Sequence, residues 1–254
     1  MIDTRHWLIA LLTSLATGAA ALLAGSASPA GLAVLLPLLG LGALALSHGR
    51  LSLLPALALV VLGLVLALHA WPGFDNPQLW EGRRFCDNCL PHSLFLSVDQ
   101  ALLVAAWLPL LWGSTQAASW RQAGLATSIT IAATILPGLT LGLFRWDPGW
   151  PTNTLLVFAF ANLIGVAAEE LLFRGLLQQH LLRPLGPVHA WWITAVLFGL
   201  AHLPFSAGFA VIATIAGLGY GYVAWQTGSL WPAIGLHWGL NLLHFSLFSY
   251  PLLA

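Results

Sequence analysis

Charge is what this chain has least of. Asp, Glu, Lys and Arg make up 6% of its 254 residues, where soluble domains carry roughly 25%. All eight basic residues are arginines, scattered singly except for Arg83-Arg84, and eight acids balance them to a net charge of zero. With no basic stripe to follow a phosphate backbone, nucleic acid is excluded as a partner. Two cysteines are too few for a disulfide framework.

What is present is apolar: 59% of the residues, in long runs divided by short polar breaks. That is the pattern of an all-α, polytopic transmembrane bundle with the lipid bilayer as its solvent. At ~20 residues per crossing, nine candidate spans lie near 7–25, 30–47, 51–71, 94–113, 124–144, 154–181, 190–204, 207–226 and 230–249. The 30–47 run is short, so eight crossings fit as well. Ser28-Pro29, His48-Gly49-Arg50, Asp147 to Pro151 and Arg183 to Pro187 punctuate the runs. The apolar run from Trp7 to Gly25 is longer than the ~7–15 residues of a signal core and more spans follow, so it reads as a retained first helix. Residues 1–150 carry no motif and residues 151–254 carry the polar clusters, within one membrane domain.

With the N-terminus in the cytoplasm, Arg5, Arg50, Arg121 and Arg183 fall inside and Arg83, Arg84 and Arg145 outside. Four against three leans toward that orientation. Trp7, Trp71, Trp120, Trp146, Trp150 and Trp231 sit near span ends, as interfacial belts prefer. The expected location is the inner membrane of a bacterium.

Within VAAEELLFRGLL (166–177) stand two carboxylates and an arginine, each costing at least ~2.5–3.5 kcal/mol at the centre of a span. Glu170 and Arg174 are four apart, share a helix face and can pair. Glu169 is turned ~100° away and is expected to lack a local counter-charge. Desolvation raises a carboxylate's pKa, toward the range where it takes a proton from water. FGLAH (198–202) sets Phe198 and His202 on one face, as an aromatic wall beside an imidazole. Alone, such a histidine is most simply one that reaches headgroup water. HWGLN (237–241) aligns His237 with Asn241, either as donors to an oxyanion or as an interhelical hydrogen-bonded pair.

The ordered trio EELLFR (169–174), FGLAH and HWGLN resembles the motifs of the CAAX-prenyl-protease and bacteriocin-processing family of intramembrane proteases, over roughly residues 154–245. The resemblance implies a helical core around a water-filled cavity in the last four helices. It implies Glu169 and His202 as activators of the attacking water, and His237 and Asn241 as the oxyanion site. Glu170 and Arg174 would be the structural pair. The substrate would be a membrane-anchored, lipid-modified or precursor polypeptide. A metal-free, glutamate-dependent mechanism is expected; the alternative is zinc or another divalent metal on Glu169, His202 and His237. Zinc sites usually need three good protein ligands around one point, and Asn is a poor one.

Other features invite other readings. Cys86-x-x-Cys89 with nearby His92 hints at metal but lacks a fourth ligand, and fits a disulfide or two thiols better. Asp99 is a further costly carboxylate, either a cap near Ser97 or a cavity residue. Ala213, Gly217 and Gly221 read as small-residue helix packing. Against the peptidase stand a proton-relaying transporter, for which repeated halves are missing, and a non-catalytic scaffold or immunity protein, which has no need of the whole polar set.

Overall fold

The computed structural model describes residues 4–46, 53–111, 119–149 and 152–254. The breaks at His48 to Arg50 and at Trp150-Pro151 lie outside the described residues. In chain order come α1 (Thr4–Leu23), α2 (Pro29–Leu32), α3 (Leu35–Leu46), α4 (Leu53–Ala67), β1 (Gln78–Arg83), β2 (His92–Phe95), α5 (Val98–Ala106), α6 (Trp120–Thr140), α7 (Thr152–Glu170), α8 (Pro187–Ala201), α9 (Ala207–Thr227) and α10 (Trp231–Leu247). Each apolar run of the sequence holds helix. Four helical stretches are long and apolar enough to cross a membrane: Arg5–Leu23, Trp120–Thr140, Asn153–Gln179 and Ala207–Thr227. Pro29–Leu44, Leu54–Ala67 and Pro187–Ala201 are shorter apolar helices. The result is a multi-helix, multi-pass membrane architecture.

The helices differ in what covers them. Half of the α9 span is buried, against 22% in the α1 and α6 spans, so α9 is an inner helix and the other two are peripheral. Leu8, Leu12, Leu125 and Ile129 point outward. In water that face would be untenable; in a bilayer it meets lipid tails.

Small residues let α9 sit at the centre. A Cβ on Gly217 would press on Arg174 Nη2 and Phe198, and one on Gly219 would overlap Thr130 of α6. The Ala213-Gly217-Gly221 stripe therefore brings backbones close, and two of its carbonyls become acceptors. Gly217 O accepts from Arg174 Nη2 at 3.1 Å, and Gly221 O accepts from Gln178 Nε2 at 2.8 Å.

The loop between α4 and α5 adds what the all-α expectation lacked, a two-stranded antiparallel hairpin of β1 and β2. A Cys86–Cys89 disulfide closes its turn. The hairpin lies against α7 and α10 through aromatic rings, with Phe85 packed edge-on to Phe245 and Phe158 stacked on Phe245. Arg83 donates to Thr154 Oγ1.

Backbone hydrogen bonds tie distant loops together at this end of the bundle. Ser28 N donates to Gly73 O, Leu90 N to Leu252 O, Leu253 N to Leu143 O and Ser249 N to Arg145 O, all within 2.9 Å. At the opposite end Ser119 N donates to Gln226 O.

Candidate active site

α7 ends on Glu169-Glu170 and passes directly into a π-helical run, Leu171–Leu181. Such widened turns are rare and recur at functional sites. Glu170 and Arg174 are both fully buried, and Arg174 Nη1 donates to Glu170 Oε1 at 2.9 Å. The guanidinium lies over Phe198 at 4.3 Å and over Tyr220 at 5.3 Å, so its faces meet π-electrons rather than lipid. The expected pair is present, and it does more than neutralise itself. The same Glu170 Oε1 lies 2.9 Å from His237 Nδ1, on a helix 67 positions away.

That contact aims His237. With Nδ1 donating to Glu170, Nε2 faces Glu169 Oε2 at 3.9 Å. Tyr220 stacks on the imidazole with centroids 4.5 Å apart and 14° between planes, and Phe198 meets it edge-on at 5.6 Å. Glu169 thus has an imidazole from another helix beside it, a neighbour that the geometry of its own helix could not show. Its side chain is 35% exposed, while Oε2 is buried with no hydrogen-bond partner among the described residues.

His202 caps the C-terminus of α8, and its Nδ1 lies 2.8 Å from Phe198 O. Nδ1 therefore carries the proton and Nε2 is left as an acceptor, the form a base requires. Phe198 packs against both imidazoles, with His202 at 4.6 Å between ring centroids. Asn241 Nδ2 donates to Asn162 Oδ1 of α7 at 3.2 Å. His202, His237 and Asn241 line one cavity of about 70 Å³, with Phe198, Tyr220, Thr134 and His244 among its other walls. A water needs ~10–15 Å³ by this measure, so the cavity holds several. Glu169 is not among its lining residues, but its Oε2 lies 3.9 Å from Nε2 of His237, which is.

Three residues went unassigned in the sequence. Asn162 stands two helical turns before Glu169, and its amide in an apolar helix was the available signal. His244 shares a helix face with His237 seven residues earlier, which marks it for packing or support and not for the cavity wall where it stands, and Tyr220 carried no signal because its role depends on which helices touch.

Among the described residues no group of three or more His, Cys, Asp or Glu is placed to hold a metal ion, and Glu169, His202 and His237 are not grouped as one. At the hairpin, Cys86 and Cys89 are bonded to each other and His92 Nδ1 accepts from Trp80 Nε1, so the two thiolates a metal would need are not available there. Asp99 stands in the first turn of α5, where its carboxylate caps a backbone N–H, and it does not line the cavity. Fully buried, it holds His69 Nδ1 at 2.8 Å and accepts from Gln100 N.

Comparison with curated proteins and with solved structures gives no match for the chain. Residues 150–243, which include Glu169, Glu170, Arg174, Phe198, His202, His237 and Asn241, match the family model described as Type II CAAX prenyl endopeptidase Rce1-like.

Proposed function

We propose that this protein is an intramembrane endopeptidase of the glutamic type. Its substrate is a membrane-anchored, lipid-modified or precursor polypeptide, and residues 151–254 form the catalytic core. The observation that carries the reading is the Glu169 carboxylate held 3.9 Å from His237, which lines one cavity with His202 and Asn241. Four such side chains, drawn from α7, α10 and the end of α8, exceed what helix packing requires.

In the proposed reaction a water enters the cavity and attacks the carbonyl carbon of the scissile bond. Its proton passes to Glu169, which meets the water beside the His237 ring, with the free Nε2 of His202 as a second acceptor that orients it. The oxyanion is held by the second N–H of Asn241 and by an Nε2–H of His237, whose ring then carries both protons with Glu170 as its counter-charge. Collapse of the intermediate breaks the C–N bond, and the stored proton leaves with the amine. The products are one new carboxylate and one new amino terminus. Glu170 and Arg174 take no proton in this scheme; they set the angle of His237.

The test is Glu169→Gln co-expressed with candidate precursors encoded beside the protein. Accumulation of uncut precursor is the expected result, and unchanged processing would defeat the proposal. Activity that persists after strong chelation and re-purification is expected from a metal-free site.

A further inference from the structure

The bundle has two ends, and the cavity reaches only toward one of them. Its outer walls are Phe144 from the loop after α6, His202 at the end of α8, Phe209 in the first turn of α9 and His244 in the last turn of α10. All four belong to the end at which Leu253 bonds to Leu143 and Leu90 to Leu252. That is the end covered by the hairpin. The cavity floor, formed by His237, Tyr220 and Ala216, lies toward mid-bundle.

The hairpin end also carries the Cys86–Cys89 disulfide, and among the described residues there is no free cysteine. Structural disulfides persist in oxidising compartments and are rare where glutathione and thioredoxin keep thiols reduced. This one is built into the fold: Cys89 O accepts from Arg84 Nη1, Leu90 N donates to Leu252 O, and Ala254 N donates to Asn88 O. The C-terminal segment is thus fastened to the loop that the disulfide closes. The arginine count along the chain leans the same way, with the hairpin end outside.

We infer that the cavity opens to the oxidising side of the membrane, and that its substrate is a polypeptide segment already carried across, such as the membrane-held end of an exported chain. This rests on the peptidase reading for the word substrate; the placement of the cavity mouth does not. A chain whose cleavable tail lies in the reducing cytoplasm would meet the end of the bundle that this cavity does not reach, where Ser119 bonds to Gln226.

The experiment uses the full chain in spheroplasts of a bacterial host with a membrane-impermeant maleimide. Asp147→Cys marks the hairpin end and Leu185→Cys, in the turn between α7 and α8, marks the other. The expected pattern is labelling of Asp147→Cys in intact spheroplasts and of Leu185→Cys only after permeabilisation. In the unsubstituted chain Cys86 and Cys89 should stay unlabelled until an impermeant reductant is added, and then label without permeabilisation. The reverse pattern, or native cysteines that react without reduction, would overturn the inference. None of these readouts depends on cleavage. A processing-competent Glu169→Gln variant would therefore remove the peptidase reading and leave the placement standing, and reversed labelling would do the opposite.

Discussion

At Glu170 one carboxylate oxygen accepts from both Arg174 and His237, so its loss would strand a buried guanidinium and free the imidazole to turn. Breaking a buried ion pair from one side costs about 3–5 kcal/mol. Glu170→Ala is therefore expected to lower the unfolding temperature strongly in detergent, whereas Glu169→Gln, partly exposed and isosteric, should leave it nearly unchanged. Equal destabilisation by both would contradict the division of labour between the two carboxylates. Asn162 stands behind Asn241 and fixes which end of that amide meets the cavity. Asn162→Leu should cut kcat by about tenfold, the worth of one lost hydrogen bond, with KM little changed. Asn162→Asp, which still accepts, should restore most of it. The Glu170–Arg174 pair was legible because i, i+4 neighbours share a helix face. The Glu170–His237 and Asp99–His69 contacts were not, because each joins helices or turns whose adjacency no local pattern encodes.

Among the elements, α9 depends most on having no side chain at chosen points. Gly219→Val would drive its Cβ into Thr130, and overpacking of this kind costs about 1–3 kcal/mol. Gly235→Ala, with nothing near its Cβ, should be neutral or slightly stabilising by thermal unfolding. The stripe was readable from spacing, but its use as a row of carbonyl acceptors for Arg174 and Gln178 was not.

The hairpin region should be most stable near pH 6.5, for two opposed reasons. Its hydrogen bond to Asp99 raises the pKa of His69, so that contribution is full below ~6.5 and is lost as pH rises through the elevated value. Burial lowers the pKa of His92 to about 4. The unfolded chain then takes up a proton that the folded one refuses, and stability falls as pH drops from ~6.5 toward that value. Thermal unfolding against pH should show both flanks, with His69→Gln flattening the alkaline one and His92→Gln the acidic one. The strands themselves were hidden in the sequence, since QLWEGR and HSLF are short and one is broken by Gly82.

At the scale of the whole molecule, hydropathy located every helical segment because lipid and water select so sharply between side chains. It could not say which loops share an end, and the backbone bonds joining residues 28, 90, 143, 145 and 252 supply that grouping. The protein is accordingly expected to stay with the membrane through alkaline carbonate washing and to require detergent for release; a soluble fraction would contradict the bundle as a membrane structure.

The central claim is that Glu169, as part of a cluster from three helical segments, drives hydrolysis inside the bilayer. Its most direct measurement pairs the purified protein with a membrane-anchored precursor in vesicles and weighs the products. Wild-type protein should yield two fragments whose masses sum to the precursor plus one water, and Glu169→Gln, unfolding at the same temperature, should yield none above background. Equal cleavage by the two proteins would contradict the account.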